Sequence, residues 1–289
     1  MSPDPLPTDL DEAGDRAYPA TIPPDAMYPG QTRAPLGSPL DEIATPSMWS
    51  RLASPLERAL RELWQRLGLL ERNAPGQWVG LHYGRIAINA HAWERLRARC
   101  CGLEPDASLV APPRSALERI PEQYERLRAR LRRRSLQKRV ERADSKREER
   151  LTRAKALQLA DLDAGELARG LLDDQAWTEI LLPWLGRRLD ETARDLPDPS
   201  LRAAIALEQR TGAELGRRLE MRGVLENPAQ IAYLTVEERI RAVHDESKYW
   251  AALADSRAAR VEEFKKIDVP VQFWGRPRME GEDPEPLGY

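Results

Sequence analysis

The sequence predicts a mainly α-helical protein, a multi-helix domain with one small β-hairpin and a long basic helical arm. Three observations carry that expectation. Leu56, Leu60, Leu63 and Leu67 recur at three- and four-residue spacing, which places them on one helix face. Between Trp78 and Ala90 two short apolar runs flank Tyr83, Gly84 and Arg85, the pattern of two strands joined by a tight turn. From Arg126 to Lys155 the chain holds fourteen Lys or Arg against four Asp or Glu, with no helix breaker after Pro121.

Size and composition narrow the function classes. A chain of 289 residues makes one large domain or two small ones. Apolar residues at 41% suffice for a core, and a net charge of −2 exerts no global pull toward nucleic acid or membrane. No apolar run approaches the length of a transmembrane helix. The N-terminus carries Asp4, Asp9, Asp11 and several prolines rather than the basic and apolar regions of a signal peptide. Cys100 and Cys101 are adjacent, and neighbours in sequence rarely pair. Reduced thiols in a cytoplasmic protein are the simplest account.

In chain order, residues 1–47 are rich in Pro, Asp, Gly and Ser and read as an extended arm. Residues 48–275 form the expected helical domain, and 276–289 a flexible tail. Within the arm, turn residues around Tyr28 and Arg33 make a surface loop or a loop lining a substrate. Ser54 as cap and Pro55 in the first turn start a helix over the leucine repeat. The hairpin follows, with Arg85 and Asn89 as polar groups beside an apolar floor, and residues 90–101 are helical. A long helical pattern covers 116–162, and its basic run reads as a solvated arm with Leu127, Leu131 and Leu136 touching one partner. Clustered arginines also neutralise phosphates. No aromatic follows Tyr124 in the run and no DNA-binding motif frames it, which disfavours nucleic acid and points to an acidic partner subunit.

Asp163 and Glu166 suit a helix start leading to Trp177, Leu181, Leu182, Pro183 and Trp184. That apolar cluster reads as core, or as the wall of an aromatic-binding pocket. Residues 201–221 make an amphipathic helix that stops at Gly223. A short apolar run, residues 231–234, then meets Thr235, and Glu238 three residues on completes a capping box. The helix after it carries Ile240, Val243 and Trp250 inward, and a second pattern over 256–267 stops before Pro270.

Several chemistries have no sequence basis. There is no glycine-rich phosphate cradle and no nucleophile elbow. His82, His91 and His244 are scattered without metal-ligand spacing. A lone histidine in a hairpin, as His82 is, reads as a structural hydrogen-bonder.

The order of these motifs resembles the central, acceptor-substrate domain of the phosphoenolpyruvate synthase, rifampin phosphotransferase and phenylphosphate synthase group. The resemblance rests on a Pro29-Gly30…Thr32 segment, Trp49-Ser50, the Gly84-Arg85-Ile86-Ala87-Ile88-Asn89 hairpin, residues 231–238 and residues 256–270. It departs from the pattern by an insertion before Trp49. The family places an Arg-Glu-x-Pro-Lys segment, associated with activation of the substrate hydroxyl, where Arg194 and Pro197 stand, but Asp198 occupies the lysine position. The resemblance implies a free-standing substrate-binding subunit of a dikinase-type phosphotransferase, not active alone. It implies Arg194 as catalytic cation, Arg33 and Arg85 as further cations, Asn89 as a polar contact, and Trp49, Tyr83, Trp177 and Trp184 as pocket walls. ATP and Mg would be held by an ATP-binding partner subunit, and a phosphohistidine-carrying partner would deliver phosphate to a hydroxyl-bearing small molecule. The other reading is a non-catalytic helical adaptor that binds a protein partner through its arginine-rich arm.

Overall fold

A computed structural model describes residues 30–32, 40, 42–67, 78–101, 122–189 and 198–274. It is mainly helical with one small antiparallel sheet, as the sequence predicts. Among the described residues, no helix is long and apolar enough to cross a membrane.

Helix α1 (Pro46–Arg66) starts earlier than the leucine repeat suggests. Thr45 Oγ1 accepts from the Met48 amide at 3.3 Å and Pro46 occupies the first turn, so the cap lies at Thr45 rather than Ser54. Pro55 sits inside the helix, where it removes one amide donor. The buried face runs continuously through Leu52, Leu56, Ala59, Leu60 and Leu63, and this packing carries the helix past the proline.

After the hairpin come α2 (Ala90–Cys101) and the long α3 (Glu122–Ala156). Leu131, Arg134, Gln137 and Lys138 of α3 are exposed. Ala143, Arg147, Leu151 and Ala154 are buried, a spacing of four, four and three that turns one face toward α5 (Asp174–Arg188). The helical pattern expected to reach residue 162 ends at Ala156 and gives way to a 3₁₀ turn, Leu159–Asp161. Among the described residues of the basic run, Arg147 is interior. Arg147 pairs with Asp144 at 2.8 Å and with Asp198 at 3.5 Å. Asp198 also receives Arg187 and caps α6 (Pro199–Met221), accepting from Ser200 N at 3.0 Å and Leu201 N at 2.9 Å.

The sheet is larger than the hairpin. Strands β2 (Val79–His82) and β3 (Arg85–Asn89) pair as expected, and β1 (Gly30–Thr32) and β4 (Gln272–Trp274) extend them in the order β2-β3-β1-β4. Three-residue strands are too short to show an alternating pattern in sequence, which is why they were not legible there. Tyr83 (φ 48°) and Gly84 (φ 71°) make the two-residue turn, whose positive φ angles match the twist of the flanking strands. A Cβ at residue 84 would lie 2.5 Å from Ile43 Cγ2. Glu57 of α1 anchors the start of β2 by accepting from Trp78 N at 2.9 Å and Val79 N at 3.0 Å.

A second core lies around α4 (Ala164–Arg169), α7 (Val236–His244) and α8 (Tyr249–Phe264). Asp163 caps the short α4, and a separate cap, Asp173, starts α5 and its tryptophans. The Thr235–Glu238 box forms as predicted, with Glu238 Oε2 accepting from Thr235 N at 2.8 Å. Trp250 belongs to α8 rather than α7, because α8 begins seven residues before Ser256. Arg257, buried on α8, grips both oxygens of Glu238 at 2.6 and 2.7 Å.

The two cores meet at a buried charge cluster. Glu208 of α6 lies between Arg51 of α1 (3.6 Å) and Arg239 of α7 (3.0 Å). Arg51 also donates to the Arg169 carbonyl at 2.5 Å, and Arg239 to Ser47 Oγ and the Ile231 carbonyl. Burial pulls the Arg239 guanidinium below its ordinary pKa, Glu208 opposes this, and Arg51 reinforces it. Glu208→Ala leaves both guanidiniums without that carboxylate, so thermal or urea unfolding should report a loss of about 3–5 kcal/mol. Asp198→Ala removes an N-cap and the anchor of Arg147 together. A loss of at least about 1 kcal/mol is expected, with earlier proteolytic cutting in α3 than in the parent protein.

Candidate functional site

The polar side of the sheet is the best candidate for a site. Directly opposed residues share a face, and His82 opposes Arg85, Gly80 opposes Ala87, Asn89 opposes Gln31, and Gln31 opposes Phe273. His82, Arg85, Asn89 and Phe273 therefore lie on one side. β2 and β4 are the outer strands, yet the His82 and Phe273 rings are only 4.9 Å apart, edge to face. The sheet must curl, with this side concave.

Within the curl, His82 is 1% exposed and its Nδ1 has no hydrogen-bond partner. The half-buried Arg85 has its Nε buried and likewise unpaired. Burial pulls the His82 ring down from its ordinary 6.5 to about 4, so the imidazole is neutral at physiological pH. The expectation that His82 is a structural hydrogen-bonder fails at Nδ1. The sequence does carry its position, since a two-residue turn at Tyr83 and Gly84 puts residue 82 opposite Arg85, but not its burial or its idle Nδ1.

The predicted site residues divide into groups. Tyr83, Arg85 and Asn89 come together on the hairpin. Tyr83 is 4% exposed and stacks edge-on against Phe264. Asn89 is buried, and its Oδ1 accepts from Ala92 N at 3.0 Å, capping α2. Trp49 on α1 packs against the main core, half-buried. Trp177 and Trp184 are sealed in that core at 0% and 2% exposure, so of the two roles open to them this structure shows the core one. Arg33 and Arg194 lie outside the described residues. Asp198, where the resemblance leads one to expect a lysine, is the α6 cap described above and accepts hydrogen bonds rather than offering a base to solvent.

A groove between α3 and α5 is lined by Lys146, Glu149, Arg150, Arg153, Gln175 and Glu179. Both of its arginines are paired within it: Arg150 meets Glu179 at 2.5 Å and Arg153 meets Glu149 at 3.0 Å. No group of three or more His, Cys, Asp or Glu that could hold a metal occurs among the described residues. No family model, curated protein or solved structure matches this chain.

The buried imidazole has a measurable consequence for stability. Its folded pKa of about 4 lies below the ordinary 6.5, so the unfolded chain takes up a proton that the folded protein refuses. The stabilisation is complete above the ordinary value and is lost as pH falls toward 4, by about 3 kcal/mol across that window. His82→Gln should flatten this part of the pH profile in urea titrations. Glu238 acts lower on the scale. Burial pushes its carboxyl up, but hydrogen bonds and charge from Arg257, with Thr235, hold it below the usual value. Its contribution is present above the ordinary carboxylate range and is lost as the pH falls through and below that range.

Proposed function

We propose that this chain is the substrate-binding subunit of a multi-component, ATP-dependent, dikinase-type phosphotransferase acting on an alcohol or phenol. One observation carries the reading: segments that resemble the family's central domain in sequence order are joined to one another in space. Ser50 of the Trp49-Ser50 pair accepts from Val236 N at 3.1 Å, at the start of the helix after the capping box. Glu238 of that box holds Arg257 of the 256–270 segment. Gly30–Thr32 pairs with the Arg85–Asn89 strand on one side and with Gln272–Trp274 on the other.

In this reading a phosphohistidine-carrying partner subunit supplies the phosphoryl group, and an ATP-binding subunit, with Mg, charges that histidine. This chain orients the acceptor oxygen in line and meets the developing charge with cations, since positioning and electrostatics dominate phosphoryl transfer. Arg85 and Arg194 are assigned to that work.

The isolated chain should neither hydrolyse ATP nor retain label from radiolabelled ATP. Chains that co-purify with it from native cells should include an ATP-binding protein and a phosphohistidine carrier, and the mixture should phosphorylate a hydroxyl compound. Arg194→Ala should then slow turnover more than it weakens acceptor binding, by about 2–4 kcal/mol in the barrier. Unchanged turnover removes Arg194 from the site, and phosphorylation by the chain alone defeats the split-subunit reading.

A second reading has its own observation. Arg134, Lys138 and Arg142 are exposed on α3 beside an exposed Leu131, as an adaptor binding a protein partner through its basic arm requires. Charge reversal at those three cations should abolish salt-sensitive partner capture in that case. It should leave acceptor binding intact if the arm only docks the subunits.

A further inference from the structure

We propose that His82 and Arg85 form the floor of an oxyanion-binding site on the concave side of the sheet, suited to a phosphoryl or carboxylate oxygen of a small molecule. The proposal deepens the acceptor-binding reading and rests on it for the class of ligand, though not for the existence of the site.

The argument begins with unused hydrogen-bonding capacity. A buried donor or acceptor without a partner costs about 1–3 kcal/mol, and such groups persist where something else uses them. Other buried side chains have an unpaired atom, but their circumstances differ. The Nε atoms of Arg51, Arg147 and Arg257 make no hydrogen bond, but each guanidinium is held in an ion pair, that of Arg51 through Nε itself. Glu179 Oε2 likewise meets Arg150, and the Tyr249 ring is set edge-on against Trp250. The Trp64, Trp78, Trp177 and Trp184 indole nitrogens belong to rings placed by apolar packing. Arg85 forms no ion pair among the described residues, and its cross-strand neighbour His82 has an equally idle Nδ1.

Geometry brings the two together. Opposed residues in a hairpin have Cβ atoms about 5 Å apart on the same face, so an imidazole nitrogen and a guanidinium nitrogen can both reach one oxygen. The turn between them is rigid, because Gly84 is wedged against Ile43 and its carbonyl accepts from Ala44 N at 2.7 Å. Phe273 closes the far side of the imidazole. Arg85 is half-buried and so provides the approach from solvent. A permanent cation beside a neutral ring that donates through Nδ1 attracts an anion without a second buried charge.

The test follows the histidine rings of the intact chain by nitrogen NMR after ¹⁵N-histidine labelling. Among the three histidines, His82 is assigned by the resonance that His82→Asn removes and His244 by the one that His244→Asn removes. Titration with inorganic phosphate should move the His82 signals saturably and leave those of His244 in place. The same titration of Arg85→Gln should show affinity weaker by about tenfold or more, and phosphate should raise the melting temperature of the parent but not of Arg85→Gln. Acetate and benzoate form the second arm: a response to them and not to phosphate supports the site and assigns it to carboxylates. A His82 signal that none of the three anions moves overturns the proposal, as does a response unchanged in Arg85→Gln. Anion binding by the chain without partner-dependent transfer would leave the site standing and remove the phosphotransferase reading, and transfer without anion binding would do the reverse.

Discussion

The contact on which the architecture depends is the buried meeting of Arg51, Glu208 and Arg239. Three helices each contribute one charge, and the C-terminal end of α4 contributes a carbonyl. Guanidiniums removed from water need nearly every N–H satisfied. That requirement ties α1, α6 and α7 together through directional contacts, which apolar packing alone does not supply. The two hydrophobic cores lie on either side of this cluster, and its geometry sets how they meet. A pair of guanidiniums around one carboxylate leaves an excess of positive charge, relieved by neutral acceptors: Ser47 Oγ and the carbonyls of Ile231 and Arg169.

Around that frame, polar residues that looked chemical in the sequence turn out to divide between structure and idle capacity. Asn89 and Asp198 are both helix caps, the first on α2 and the second on α6. Each spends its oxygens on backbone amides, and Asp198 adds two arginines. His82 and Arg85 are the opposite case: on either side of the Tyr83-Gly84 turn the fold leaves the buried His82 Nδ1 and Arg85 Nε without a hydrogen-bond partner. The concave side of the sheet therefore contains both kinds within one strand length.

What was legible in the sequence was local. The Tyr83-Gly84 turn, the Thr235–Glu238 box and the stop at Gly223 (φ 74°) are each decided by residues within four positions of one another, and each formed where expected. Ser54-Pro55 imitates a helix beginning, while the cap of α1, Thr45-Pro46, has the same form nine residues earlier. β1 and β4 were invisible because three residues carry no period and their stability comes from partners more than fifty residues away. The average charge of the basic run describes only a solvated arm. The interior role of Arg147 depends on an aspartate beyond two intervening helices, which no local pattern encodes. The hairpin part of the candidate site was recognised, but its histidine was not, because burial and the lack of a partner are properties of the folded chain.

The close approaches in the second core bear on how this chain can change over evolutionary time. A Cβ at Gly216 would run into the carbonyl oxygen of Pro228, and one at Gly212 would press on the Arg239 guanidinium at 3.2 Å. At Gly170, with φ 76°, a side chain would collide with Arg51 and Glu208. The apolar positions of α1 and α5 can drift among Leu, Ile and Met with local repacking, and the exposed arginines of α3 have still more freedom. These glycines have almost none. In descendants of a common ancestor they should be the slowest positions to change, a sparse fingerprint of absent side chains that would outlast the hydrophobic pattern around them.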